Sequence, residues 1–274
     1  MWKEVFALPR DVYRNRRLVL KLAKNDFKIR YAGSYFGTIW AFIQPVVTIL
    51  VYYFVFGVAM RGGAEAKEGV PFVLYLVSGI VPWLFFQEGL TCGTNAFLEY
   101  NYLVKKVVFN ISVLPVVKLL SAAIVHGFFV VFIIILFACY GYFPSIYYLE
   151  LLYYSGCLFL LILAMTYVTS SVVVFFRDLS QMVSIGLQVG VWLTPIMWEV
   201  TRLDQYSWGG TVQTILKLNP VYYIVHGYRN AFIDQRWFWE DPLWTLYFWV
   251  FLLGMFLFGN WVFRRLRVHF ADVL

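Results

Sequence analysis

Two stripes of uncharged polar side chains interrupt an otherwise apolar sequence. Gln181, Ser184, Gln188 and Trp192, continued by Pro195 and Glu199, fall within an arc of about 80° when the chain is wound as an α-helix. Trp40, Gln44, Thr48 and Tyr52, with Gly37, make a wider arc of about 120° that Ala41 and Val51 share. Amides, hydroxyls and aromatic faces can bind a hydrated solute without trapping it as fixed charges would. Lipid gives no return for exposing them, so each stripe should face protein or a hydrated path. Gly186 and Gly190, a small-xxx-small pair, keep plain helix packing open as the alternative. Bond-making chemistry has little support. The chain has no GxxxxGK[ST], HExxH or GxSxG motif and no carboxylate pair inside an apolar run. His126 lies in such a run and is a functional candidate by position, although a neutral histidine bonded to a neighbouring helix accounts for it equally. Cys92, Cys139 and Cys157 show no metal or redox spacing. No cofactor and no metal is expected on this chain.

The elements carrying these stripes are membrane helices. Of 274 residues 62% are hydrophobic and 14% charged, with a mean hydropathy of +0.72, whereas soluble domains run at roughly 45–50% apolar and about 25% charged. The charges are segregated, leaving uncharged runs at 31–60, 69–87, 119–149, 151–176, 179–198 and 242–263. A spanning helix needs about 20 such residues. The pattern predicts an all-α integral membrane protein with six spans, near Phe36–Val58, Pro71–Glu88, Pro115–Tyr140, a fourth ending at Phe176, Ser180–Trp198 and Leu243–Phe263. It forms a single transmembrane domain over 1–274, with the bundle at 36–263 and a tail at 264–274.

Basic residues set the orientation. Sixteen of the 22 Lys and Arg fall before the first span, after the last, around the 91–114 connection or at Arg177, which the positive-inside rule puts in the cytoplasm with both termini. Arg10, Arg14, Arg17, Lys21, Lys24 and Lys28 are spaced along one helical face, so 10–30 reads as an amphipathic interface helix. Anionic lipid and a docked partner account for that basic face without nucleic acid. The segment Glu199–Asp241 is too long for a turn and apolar over Val212–Phe232, but Asn219-Pro220 breaks it. A re-entrant pair of half-helices on the outer side fits this, with a surface-lying amphipathic helix as the alternative.

The stretch Arg30-Tyr31-Ala32-Gly33-Ser34-Tyr35-Phe36-Gly37-Thr38-Ile39-Trp40, followed by Pro45, resembles the opening of the first span in polysaccharide-exporting ABC-2 permeases, the family of teichoic acid, O-antigen and capsule exporters. Further matches follow in order: Ser78-Gly79-Ile80-Val81-Pro82-Trp83, then Leu103-Val104-Lys105-Lys106-Val107 with Pro115, Arg177-Asp178-Leu179 with Pro195, and Asn219-Pro220 with Arg229. Asn110 departs from the proline frequent at that place. The teichoic acid permeases are the branch it is most similar to. The resemblance implies a homodimer of six-span subunits in the plasma membrane, served by two copies of a separate ATPase that holds ATP and magnesium. The cargo would be a lipid-linked polysaccharide. By the same resemblance Arg30, Tyr31, Ser34 and Gly37 mark the mouth of the first span, and spans one and five line the path. Glu99, Tyr100, Asn101, Lys105 and Lys106 would form the coupling segment, and the turn at Arg177 and Asp178 is a second compact handle for a motor. A drug or small-lipid permease would share this architecture. A membrane-embedded glycosyl- or acyl-transferase would need a DxD motif or an intramembrane His/Asp pair, and neither is visible.

Overall fold

The computed structural model describes residues 7–60, 69–104 and 111–273, and the elements in them are helical. The interface segment is two helices, α1 (Ala7–Arg14) and α2 (Arg16–Arg30), rather than the expected single one. Asn15 separates them, and its side-chain amide bonds back to the Asp11 carbonyl at 3.0 Å. Such local bonds are how asparagine competes with a continuing helix. Along α2, Val19, Ala23 and Asp26 form a buried inner face, while Arg10, Arg14, Arg17, Lys21, Lys24 and Lys28 stay exposed. The chain then reverses through Gly33 and Gly37, whose φ angles of 87° and 52° suit glycine far better than other residues. It enters α3 (Trp40–Tyr52), which continues in π-helical form over Tyr53–Ala59.

Helix α4 (Phe72–Thr94) is apolar on every side up to Phe86, the pattern of a helix with neighbours all round, and turns polar only near its end. It is the axis of the bundle: 78% of its most apolar window is buried, against 17% for the α3 span. Helices α5 (Leu114–Cys139) and α6 (Glu150–Val173) pack on it. Small residues set the approach to α6, because a Cβ on Gly93 would meet Thr166 at 2.6 Å and one on Gly89 would meet Ile162 at 3.2 Å. Next come α7 (Leu179–Leu193), the half-helices α8 (Gly209–Lys217) and α9 (Pro220–Arg229), and α10 (Pro242–Leu266), which lies along α6.

Five of the six expected spans are long and apolar enough to cross a bilayer. The sixth, α7, has 15 helical residues, about 22 Å at 1.5 Å per residue, whereas the hydrocarbon core is about 30 Å thick. The expected span to Trp198 stops early because Thr194 precedes Pro195 and is extended, with ψ 120°; a residue before proline disfavours the helical region. The remainder of that span, Thr194–Met197, is irregular and buried. The expected pair of half-helices is present and breaks at Asn219-Pro220. Helix α9 is mostly buried against α4 and α6, and α8 is only partly covered.

Candidate functional site

The two polar stripes meet across α4. Gln44, Thr48 and Tyr52 of α3 line a cavity of about 530 Å³ with Arg30, Tyr31 and the α4 side chains Gln87, Glu88 and Thr91. Thr48, Tyr52 and Gln87 continue into an adjoining cavity of about 280 Å³, whose other wall is Gln188 and Trp192 of α7 with Trp83. Together they make one groove along α4, and the Trp192 ring in its wall has its centroid 6.1 Å from that of Phe56. Helix packing explains part of the α7 stripe's neighbourhood: a Cβ on Gly190 would come 2.9 Å from Trp83, while Gly186 faces open space.

Five of the eight stripe residues therefore line the groove: Gln44, Thr48, Tyr52, Gln188 and Trp192. Three do not. Trp40 is half-exposed and packs edge-on against Phe36. Gln181 is exposed beyond the α4 wall, and the Ser184 hydroxyl donates to the Ser180 carbonyl at 3.0 Å. The sequence stripes missed Gln87, Glu88 and Thr91. Their signal was available, since a glutamine and a threonine four residues apart near the end of an apolar run lie on one helical face.

At the mouth of the groove the basic end of the bundle holds a charge cluster built around the buried pair Asp26 and Lys118. Arg30 donates to Glu88 on α4, to Asp26 one turn back at 3.2 Å and to Ser121 on α5 at 3.2 Å. Lys118 of α5 donates to Asp26 and to Glu99, each at 2.5 Å, and its ammonium lies 4.9 Å from the Tyr100 ring centre. The Tyr100 hydroxyl donates to Asp26 at 2.9 Å. Burial works against the Asp26 carboxylate, but Lys118, with Ser121 and Tyr100, outweighs it and holds the pKa below its ordinary value. Burial and the Asp26 charge push the Tyr100 phenol well above its usual range, which keeps it a proton donor. Of the expected coupling residues, Glu99 and Tyr100 are in this cluster and Asn101 is exposed beside it. Lys105 and Lys106 lie outside the described residues. Arg177 and Asp178 form an exposed turn between α6 and α7. Among the motif residues at the mouth, Arg30 and Tyr31 line the groove, Ser34 donates to the Tyr31 carbonyl at 2.9 Å, and Gly37 makes the turn.

The ABC-2 type transporter family matches residues 17–233, most of the chain and every residue of this groove. The chain belongs to that family. It is 28% identical to the O-antigen export system permease protein RfbA of Myxococcus xanthus over 243 residues, covering 88% of this chain and 90% of the relative. It is 27% identical to the protein of the same name from Klebsiella pneumoniae over 263 residues, covering 94% and 95%.

In this ABC-2 transporter the motif residues scattered through the sequence meet at the broken end of α7. Arg229 is buried, and its guanidinium donates to the Pro195 carbonyl at 2.8 Å and the Ile196 carbonyl at 2.6 Å while lying 3.7 Å from the centre of the Tyr75 ring. These are carbonyls the helix loses when it stops at Leu193. Gly79 makes room, since a Cβ there would come 2.9 Å from the guanidinium. The Asn219 side chain caps α9 by accepting from the Val221 N–H at 3.0 Å, and its amide donates to the Thr194 hydroxyl at 2.9 Å. Pro220 occupies the first turn of α9, where a missing N–H costs nothing. The Tyr228 hydroxyl lies 3.0 Å from Nε2 of His126 and 2.6 Å from the Ser155 hydroxyl. His126 is the thirteenth of the 26 residues of α5, so α9 is tied to the middle of that helix.

Proposed function

We propose that this chain is the membrane subunit of an ABC exporter that carries a lipid-linked cell-surface polysaccharide across the plasma membrane. The observation that carries the reading is the groove: two independent polar stripes and a third from α4 line one path with amides, hydroxyls and aromatic rings. A hydrated glycan cannot cross through lipid, where even one charge at mid-depth costs about 2.5–3.5 kcal/mol on the lenient insertion scale. Beyond the Arg30–Glu88 pair at its mouth, a wall of amides, hydroxyls and aromatic rings offers it successive weak sites. The excess of Lys and Arg at the end bearing α2 supports a cytoplasmic location for that end and for both termini. The break between α8 and α9, with its buried Arg229, then lies on the outer side as a re-entrant pair.

The subunit works as a homodimer, because α3 and α7 leave the groove open along the least buried face of the bundle and a second copy closes it. ATP and magnesium are bound by two copies of a separate ATPase subunit, which grips the Glu99–Lys106 segment and the Arg177-Asp178 turn. The sequence motifs favour teichoic acid as cargo and the names of the relatives favour O-antigen; the amides, hydroxyls and aromatic rings of the groove suit the sugar rings of either. The test is export by the reconstituted dimer and its ATPase. Cysteines at Gln44 and Gln188 should react with water-soluble thiol reagents, and a tethered bulky group at either should block export. Full protection of both positions, with export intact, would remove the path from this groove.

A further inference from the structure

At the end opposite the charge cluster lies a separate cavity of about 230 Å³ that shares no lining residue with the groove. It sits where the two half-helices approach the start of α10, and Lys217, Tyr222, Asn230, Arg236, Asp241 and Trp244 line it. Asn230 is only 4% exposed, and its Oδ1 has no hydrogen-bond partner. Buried polar atoms without partners are few in native proteins and each asks for an explanation. Leaving one unmade costs about 1–3 kcal/mol.

We infer that this cavity binds one sugar residue of a glycan at the outer face. The lining asks for a ligand of mixed character. Asn230 Oδ1 and the Asp241 carboxylate accept hydrogen bonds and require a donor. Lys217 and Arg236 only donate and require an acceptor. A phosphate supplies acceptors alone and would face Asp241, a quaternary amine offers the two cations nothing, and an acyl chain satisfies none of the four. A sugar hydroxyl both donates and accepts, so it also satisfies the Asn230 amide in either of its two orientations. Trp244 and Tyr222 supply flat apolar surface for the C–H face of the ring. The volume corresponds to about eight waters at about 30 Å³ each, which suits one pyranose and excludes a peptide segment. Lys217 ends α8, Asn230 directly follows α9, and Trp244 lies in the first turn of α10, so an occupied site ties both half-helices to the last span. The site rests on the polysaccharide reading for the source of its sugar, and on its own lining for the binding.

The experiment uses the full chain assembled with its ATPase in nanodiscs. Saturation-transfer NMR would be run with galactose, mannose and N-acetylglucosamine as probes, and with glycerol 3-phosphate as the phosphate probe. Transfer to the ring protons of at least one sugar is expected. Trp244→Ala and Asn230→Leu should weaken that binding about tenfold, equivalent to about 1.4 kcal/mol, while Gln181→Leu, exposed and outside every one of these cavities, leaves it unchanged. Trp244→Phe should keep most of the signal, which separates a lost ring contact from a lost fold. No transfer to any sugar, transfer indifferent to Trp244→Ala, or stronger pocket-dependent transfer to glycerol 3-phosphate would each overturn the site. Export is measured on the same preparations. Normal wild-type export without sugar binding sinks the cavity and leaves the transport reading; sugar binding without export does the reverse.

Discussion

Lys118 Nζ lies 2.5 Å from Asp26 Oδ1, joining the interface helix α2 to the first turns of α5 through a pair in which both side chains are nearly fully buried. The same ammonium reaches Glu99 at 2.5 Å, so α2, α5 and the expected coupling segment meet on one atom. Removing one partner of a buried pair costs about 3–5 kcal/mol, because the other charge is left without compensation. Lys118→Met leaves Asp26 with Arg30 and the Tyr100 hydroxyl, so it should destabilise the protein in detergent by less than that amount, read as the loss of apparent melting temperature. Asp26→Asn with Lys118→Met should be less damaging than Lys118→Met alone. A double variant as unstable as the sum of the singles would mean the pair is incidental.

The pH dependence of that pair follows from the Asp26 carboxyl, which is held below the ordinary value of 3.8 in the folded protein. A depressed acid contributes stability that is fully present above its unfolded pKa and lost as pH falls through the folded one. The stability difference between the wild type and Asp26→Asn should thus be constant from about pH 7 to pH 5 and shrink only below about pH 4. Melting temperatures of the two proteins measured across that range give the answer. A difference that grows on acidification would contradict the assignment.

Arg229 offers a sharper test of how the broken end of α7 is held. Its two hydrogen bonds to the Pro195 and Ile196 carbonyls require the planar fork of a guanidinium. Arg229→Met leaves both carbonyls buried without donors, at about 1–3 kcal/mol each, so the variant should assemble poorly. Arg229→Lys keeps the charge and reaches one carbonyl at a time, and should recover part of the loss. Gly79→Ala should give a smaller defect of the same kind, since its Cβ pushes on the guanidinium. Yields of monodisperse protein and limited proteolysis of the 194–208 segment rank the three variants.

Much of this architecture was legible in the order of residues. Long uncharged runs placed the spans, the six-cation face placed the interface helix, and Asn219-Pro220 placed the break between half-helices. The charge cluster was not legible, for a physical reason. On α2 the regular spacing of exposed cations hides Arg30, which turns inward, and the single acid Asp26 opposite them reads as noise until α5 brings Lys118 against it. The end of α7 was misjudged because hydropathy is blind to the conformational rule at Thr194-Pro195. Stripe analysis found the right helices but not every lining residue, since rotation about one axis says nothing about which neighbour covers Gln181 and which leaves Gln188 facing a cavity.

Gln87 separates the groove from the stripes as an explanation of transport. It belongs to neither stripe, yet it borders both cavities, between the α3 wall and the α7 wall. Gln181 belongs to the strongest stripe but lies outside both cavities and is exposed. If the path is the groove, Gln87→Leu should lower export several-fold at equal levels of assembled transporter, and Gln181→Leu should change it little. Gln188→Leu should match Gln87→Leu, because the two amides face the same cavity of about 280 Å³. Neither groove substitution removes a charge or a buried apolar side chain of α4, so melting temperatures should stay within about the 0.5 kcal/mol range of ordinary surface changes. Basal ATP hydrolysis by the partner should persist in all three variants, because the proposed function puts the nucleotide site on the partner subunit. Export measured per assembled complex, alongside that hydrolysis rate, decides it. Equal sensitivity of Gln181 and Gln87 would return the path to the stripes, and insensitivity of both Gln87 and Gln188 would move it off this face of the bundle.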